Sequence, residues 1–128
     1  MKIEVNKKDE NNAGVKISGR FDAFAAPDVS IALKKLMENG TYNIRVDLSE
    51  TNFIDSTALA QLVKMMKRAR QGNGDLTLCY PSEPVTVILE LTALDKAFKI
   101  EAESRSRAMA ETAAMSADSK PNYFYEES

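Results

Sequence analysis

The residues with the clearest chemical potential are Asp55, Ser56 and Thr57. They stand between an alternating segment that ends near Asp47-Leu48 and an apolar-periodic one that begins at Leu59. That spacing predicts a strand, a short loop and an amphipathic helix opened by the triplet. A hydroxyl there sits at the positive end of the helix, where backbone N–H groups lack intrahelical partners. A phosphate on it would meet a favourable field and change the charge of the surrounding surface. Local chemistry leaves two compatible roles for Ser56, a helix N-cap and a phosphoacceptor, with Thr57 as the alternative acceptor. Asp55 likewise either complements the helix dipole or shapes the acceptor loop.

Composition removes many other chemistries. The chain of 128 residues has no histidine and one cysteine, Cys79. The common Ser-His and Cys-His nucleophile pairs are therefore missing, and a typical zinc site is disfavoured. No carboxylate pair stands out for acid–base work, so the expectation is a binding module with no cofactor and no metal, not an enzyme. Net charge is −2, and no region is basic enough to suggest a nucleic-acid surface. Residues 1–100 carry 14 basic and 13 acidic side chains, whereas residues 101–128 carry 3 and 6. There is no apolar run of membrane-spanning length and no signal-peptide layout, which predicts a cytoplasmic protein without direct membrane insertion. Cys79 falls in a strand pattern and reads as a small buried hydrophobe.

The elements that would position the triplet follow from periodicity. Met1, Ile3 and Val5 alternate with polar residues, Asp9-Glu-Asn-Asn12 supplies a turn, and Val15, Ile17 and Phe21 continue as a second strand past Gly19; this is a hairpin. Pro27 and Asp28 suit the first turn of a helix carrying Val29, Leu33, Leu36 and Met37, which Asn39-Gly40 ends. Tyr42 to Leu48 alternates as a strand. The second helix is expected over 56–71, with Leu59, Leu62, Val63 and Met66 on its buried stripe and Gly72-Asn-Gly74 as its stop. Leu76 to Tyr80 is a further strand. Pro81-Ser-Glu-Pro84 opens a third helix, with Val87, Ile88, Leu91 and Leu94 on one face, and Phe98 and Ile100 suggest a last strand. The order β-β-α-β-α-β-α-(β) predicts an α/β fold with parallel strand pairs.

Gly19-Arg-Phe-Asp22 before the first helix, and Asp47-Leu48…Phe53-Ile-Asp55-Ser56-Thr57-Ala-Leu59 before the second, resemble the STAS domain family. The similarity is to its single-domain bacterial anti-sigma factor antagonists. It covers about residues 1–100 and leaves 101–128 as a C-terminal tail, helical or disordered. The resemblance implies a STAS fold, a mixed β-sheet of four to five strands with helices packed on it. It also implies partner switching. The unphosphorylated protein binds an anti-sigma factor, often itself a serine-protein kinase, and so releases the sigma factor. Phosphorylation of the motif serine, here Ser56, abolishes binding, and a PP2C-type phosphatase resets the state.

On the same resemblance Asp22, Asp55 and Thr57 lie at the partner-binding surface; from their place on the second helix near the Ser56 end, Leu59 and Lys64 are expected as further partner contacts. Asp22 is equally readable as a turn residue. Lys64, Lys67, Arg68 and Arg70 read either as a solvated helix face or as a contact for an acidic partner. Two departures from the family pattern are Ala58, where glycine is usual, and Ala26, where many members place a hydroxyl cap. The free protein is expected to be monomeric. Other outputs remain open: a constitutive STAS subunit of an ABC-type transport complex, or a partner switch governing biofilm or secretion. Tyr123, Phe124 and Tyr125 in the tail could dock on the domain or insert into a partner.

Overall fold

The computed structural model describes residues 1–102. The expectation for the tail, residues 103–128, lies outside the described residues. The elements are β1 (Lys2–Lys7), β2 (Asn12–Phe21), α1 (Ala26–Glu38), β3 (Asn43–Asp47), β4 (Thr51–Ile54), α2 (Ser56–Gln71), β5 (Asp75–Cys79), α3 (Glu83–Leu91) and β6 (Lys99–Glu101). A short 3-10 turn, Leu94–Lys96, precedes β6. The strands form one mixed sheet in the order β1-β2-β3-β5-β6, with β4 joined to β2 off that path. Among the described residues only the β1–β2 hairpin is antiparallel, and the other pairs are parallel.

The hairpin turn forms because the Asp9 carboxylate accepts the Asn11 and Asn12 N–H groups at 2.8 and 2.9 Å, an Asx-type closure. β1 is the edge of the sheet and packs more lightly than its alternation suggests: Ile3 is half-buried, but Val5 is exposed. The centre is apolar on the helix side. Val15, Ile17, Ile44, Val46, Leu76 and Leu78 meet Val29, Leu33 and Met37 of α1 and Leu59, Leu62 and Met66 of α2 in one buried cluster. Val63 is only half-buried, and Met65 and Ala69 complete the buried stripe of α2.

The segment read from sequence as a short loop before Asp55 contains a strand. β4 is four residues long and carries a fully buried threonine, Thr51, whose hydroxyl donates to the Ile17 carbonyl at 2.7 Å. A polar side chain thus fills a core position by satisfying its own hydrogen bond. β4 finds its place because β2 changes neighbours part-way along. Residues 12–16 of β2 pair with β3, while Gly19, Arg20 and Phe21 pair with β4 across a bulge. Gly19 sits at φ +93, a conformation that strains residues with a Cβ. Phe21 and Ile54 then end side by side, which brings the loops after them together.

α3 faces differently from the expected stripe. Val85 and Leu89 are buried, Ile88 is half-buried, and Val87 and Leu91 point to solvent. Val85, Val87, Ile88, Leu89 and Leu91 are apolar nearly all round, so periodicity cannot choose their face; packing against β4 does.

The α2–β5 connection is tight. A Cβ added at Gly74 would lie 2.1 Å from the Tyr42 carbonyl oxygen, and one at Gly72 would lie 2.2 Å from the Tyr42 ring. A ring can rotate away, but a backbone carbonyl beside β3 cannot. Gly74→Ala is therefore expected to lower unfolding free energy by about 1–3 kcal/mol, the usual range for overpacking. Urea denaturation monitored by circular dichroism checks this; an unchanged midpoint would contradict the close approach.

Candidate functional site

The carboxyl ends of β2 and β4 are neighbouring parallel strand ends, and each feeds a helix. Asp55 follows β4 in an extended conformation, φ −107 and ψ 177, and caps α2. One carboxylate oxygen accepts the Ala58 N–H at 2.9 Å. The other reaches across to the loop after β2 and accepts the Ala23 N–H, also at 2.9 Å. The N-cap is therefore Asp55 and not Ser56. Aspartate fits because its two acceptor oxygens can serve two elements at once, which a serine hydroxyl at this corner could not match.

Asp22 organises the facing loop. Its Oδ1 accepts the Phe24 and Ala25 N–H groups at 3.1 Å each, and its backbone carbonyl accepts from Ala25 and Ala26 at the start of α1. Its Oδ2 pairs with Arg20 Nε at 3.0 Å, and the Arg20 guanidinium lies 3.8 Å from the centroid of the Phe53 ring. Partial burial pushes the Asp22 pKa upward, but the Ala25 N–H, Arg20 and the Phe24 N–H together hold it below the usual carboxylate value.

With the cap supplied by Asp55, Ser56 and Thr57 are exposed in the first turn of α2. The Ser56 hydroxyl makes no side-chain hydrogen bond among the described residues. It lies where the helix presents unpaired N–H groups and a partial positive charge. That setting accepts an anion, and an exposed hydroxyl can serve as a nucleophile when another protein supplies base and leaving group. Asp22, Asp55, Ser56 and Thr57 are thus brought to one end of the molecule.

Leu59 does not belong to that surface. It is 3% exposed and packs in the core, so the expectation that it touches a partner is corrected: its place on the apolar stripe turns it inward. Lys64 is exposed, but it lies further along α2 and lines a groove against α1. Ala58 is fully buried, which gives its methyl a packing role.

Sequence reasoning missed Phe24. It is 94% exposed, beside Ala23, whose N–H bonds to Asp55. The available signal was a lone aromatic in the short link Asp22-Ala-Phe-Ala-Ala-Pro27. A turn closed by Asp22 and followed by a proline in the first turn of α1 leaves such a ring no path to the core. Ile31 on α1 adds a second exposed apolar side chain, 60% accessible.

Among the described residues no group of three or more His, Cys, Asp or Glu side chains is placed to hold a metal ion, and no helix is long and apolar enough to cross a membrane. Cys79 is buried, and burial pushes its thiol up to about 12, only partly opposed by Arg45.

Two outcomes test this geometry. Asp55→Ala should cost about 1–2 kcal/mol, the range for losing a helix cap, and Asp55→Asn should cost less because it keeps one acceptor. Equal stability of Asp55→Ala and the natural protein in denaturant titrations would contradict the cap. Asp22 makes a pH-dependent contribution. Its folded pKa lies below the unfolded value of 3.8, so its stabilisation is complete above that value and is lost as pH falls through the folded pKa. Thermal unfolding between pH 2 and 6 should show the stability gap between the natural protein and Asp22→Asn narrowing below about pH 4. A pH-independent gap would rule this out.

Comparison with known proteins gives a consistent result. A family described as the STAS domain matches residues 2–106. The anti-sigma-B factor antagonist of Bacillus subtilis (strain 168) is 32% identical over 105 residues, covering 81% of this chain and 95% of that protein. Its counterpart in Listeria monocytogenes is 31% identical over 98 residues, covering 77% of this chain and 86% of that protein. The anti-sigma factor antagonist SpoIIAA in its unphosphorylated form superposes with a TM-score of 0.71 at 14% identity, over 86% of this chain and 96% of that one. At that identity it supports the fold.

Proposed function

The chain belongs to the STAS domain family, and from that premise we propose that it is an anti-sigma factor antagonist that acts by partner switching. In its unphosphorylated form it binds an anti-sigma factor that is also a serine kinase, and so frees the factor's target. Phosphorylation of Ser56 abolishes the complex, and a PP2C-type phosphatase restores it. The observation that carries this reading is the division of labour at the head of α2. Asp55 caps the helix and ties the two loops together, while Ser56 is left exposed on one of them and Phe24 faces solvent on the other.

The chemistry is phosphoryl transfer from a nucleoside triphosphate bound to the partner. The Ser56 oxygen forms a bond to the γ-phosphorus, the bond from that phosphorus to the β,γ-bridging oxygen breaks, and the diphosphate leaves. The hydroxyl proton passes to a base of the kinase. Little covalent work falls to the acceptor, which must present its oxygen in line. Asp55 contributes by fixing the loop, not by taking the proton, because both of its oxygens are occupied by backbone N–H groups.

The change of affinity follows from charge. Binding would cover Phe24 and the Ser56 hydroxyl, an apolar anchor and a small neutral group on the two loops that Asp55 joins. A phosphate brings about −1.5 to −2 charges to that surface at neutral pH. It would have to be desolvated on binding, and Asp22 and Asp55 add like charge nearby. A loss of about 3 kcal/mol would lower affinity roughly 100-fold.

Full-length Ser56→Ala and Ser56→Asp proteins, each used as bait in extracts of the natural host and read by mass spectrometry, test this. A serine kinase is expected with Ser56→Ala at about 100-fold greater affinity than with Ser56→Asp; equal recovery of every partner by both would overturn the switch. Phe24→Ala should weaken the same complex about tenfold while leaving stability within about 0.5 kcal/mol, as for an exposed side chain. Undiminished binding would remove Phe24 from the interface.

A further inference from the structure

The packing of α1 on α2 leaves a feature that the Ser56 end does not use. A groove of about 570 Å³ runs between them, edged by Lys34, Lys64, Lys67 and Arg68 over Tyr42 and Met65. Among the described residues no acidic side chain lines it. None of the four cations is ion-paired among the described residues. A second hollow, about 430 Å³ beside β3, β5 and β6, is differently charged. There Lys8, Arg45 and Lys99 are interleaved with Asp9, Asp75 and Glu101, and Arg45 is bonded to Glu101 at 2.6 Å. The α1–α2 groove is therefore an uncompensated cationic channel with an apolar floor.

We propose that this groove receives the chain's own C-terminal segment, Tyr123-Phe-Tyr-Glu-Glu-Ser128, within the same molecule. The two are complementary in chemistry. Three consecutive aromatic residues are followed by two glutamates, and residues 101–128 carry six acidic against three basic side chains. Aromatic rings match the Tyr42–Met65 floor and the flat face of the Arg68 guanidinium, while Glu126 and Glu127 meet the lysines. Length permits it. Residues 103–128 could span roughly 85 Å when extended, against a radius of gyration of roughly 13 Å for a domain of this size. A tether that can reach gives an effective concentration on the order of millimolar, so contacts too weak to hold two chains together suffice within one.

Docking stands on the groove and the segment alone. Its consequence rests on the function proposed above. Lys64 lies eight residues from Ser56 on the same helix, about 12 Å along its axis, so an occupied groove would share α2 with an approaching partner and compete with it.

The test needs neither partner nor phosphate, so its failure would leave the Ser56 reading untouched. A nitroxide is attached to the full chain at Ser128→Cys, with the buried Cys79 shielded from the reagent. Amide signals of Lys34, Lys64, Lys67 and Arg68 should lose more than half their intensity at low salt. They should recover near 1 M salt, where the screening length is about 3 Å. The double substitution Lys64→Glu and Lys67→Glu, both on the exposed face, should abolish the effect. Even broadening over the surface, or broadening centred on the hollow beside β3, β5 and β6, would overturn the proposal. Broadening that appears on an isotope-labelled chain mixed with a separate spin-labelled one would overturn it in favour of a second copy. An acidic aromatic peptide in trans that binds the groove while the tethered segment leaves it untouched would assign it to a partner instead.

Discussion

The corner between β2, β4 and α2, the proposed functional end, depends on one carboxylate. Asp55 accepts an N–H from its own helix and another from the loop after β2, and these bonds join segments thirty-two residues apart in sequence. The second could not form without the parallel pairing of β2 and β4, which ends both strands at the same level. That pairing needs the bulge at Gly19, and it needs Thr51 to bury its hydroxyl against Ile17. A bend, a buried hydroxyl and a two-sided cap therefore act in series. Their joint effect is to tie the loop that carries Phe24 to the helix start that carries Ser56.

This arrangement separates the group that builds the corner from the group available to change. If Ser56 were the cap, modifying it would remove a hydrogen bond that orders the helix start. With Asp55 in that role, the hydroxyl is an added feature on a finished frame. In the proposed switch, charge is altered at the surface while the backbone beneath it is retained. The neighbouring Asp22 turn has the same character: its carboxylate is engaged by two N–H groups and by Arg20, which stacks on Phe53. Cationic charge is concentrated further along α2, away from this end.

Much of this was legible in the residues. The hairpin turn, the proline-started α1, the span of α2 and its stop at Gly72 follow from local chemistry, and local chemistry is what sequence patterns encode. β4 was not legible, because a four-residue strand with a polar core residue has no period to detect and takes its partner from a distant bulge. The face of α3 was hidden by apolar residues on nearly every side. Leu59 shows the opposite situation. The spacing that placed it on the apolar stripe already argued against a surface role, and the structure follows the spacing. Phe24 was overlooked because exposure of an aromatic is decided by where the two flanking elements point, a tertiary property.

In the proposed switch, a phosphate on Ser56 changes the surface and leaves the Asp55 corner intact. Amide hydrogen exchange of Ala23 and Ala58 tests it most directly, compared between the full chain with serine at position 56 and the same chain with phosphoserine incorporated there. Both amides, each donated to Asp55, are expected to keep their protection when the phosphate is present. Loss of protection at either would contradict it, and would mean that the modification acts by breaking the cap.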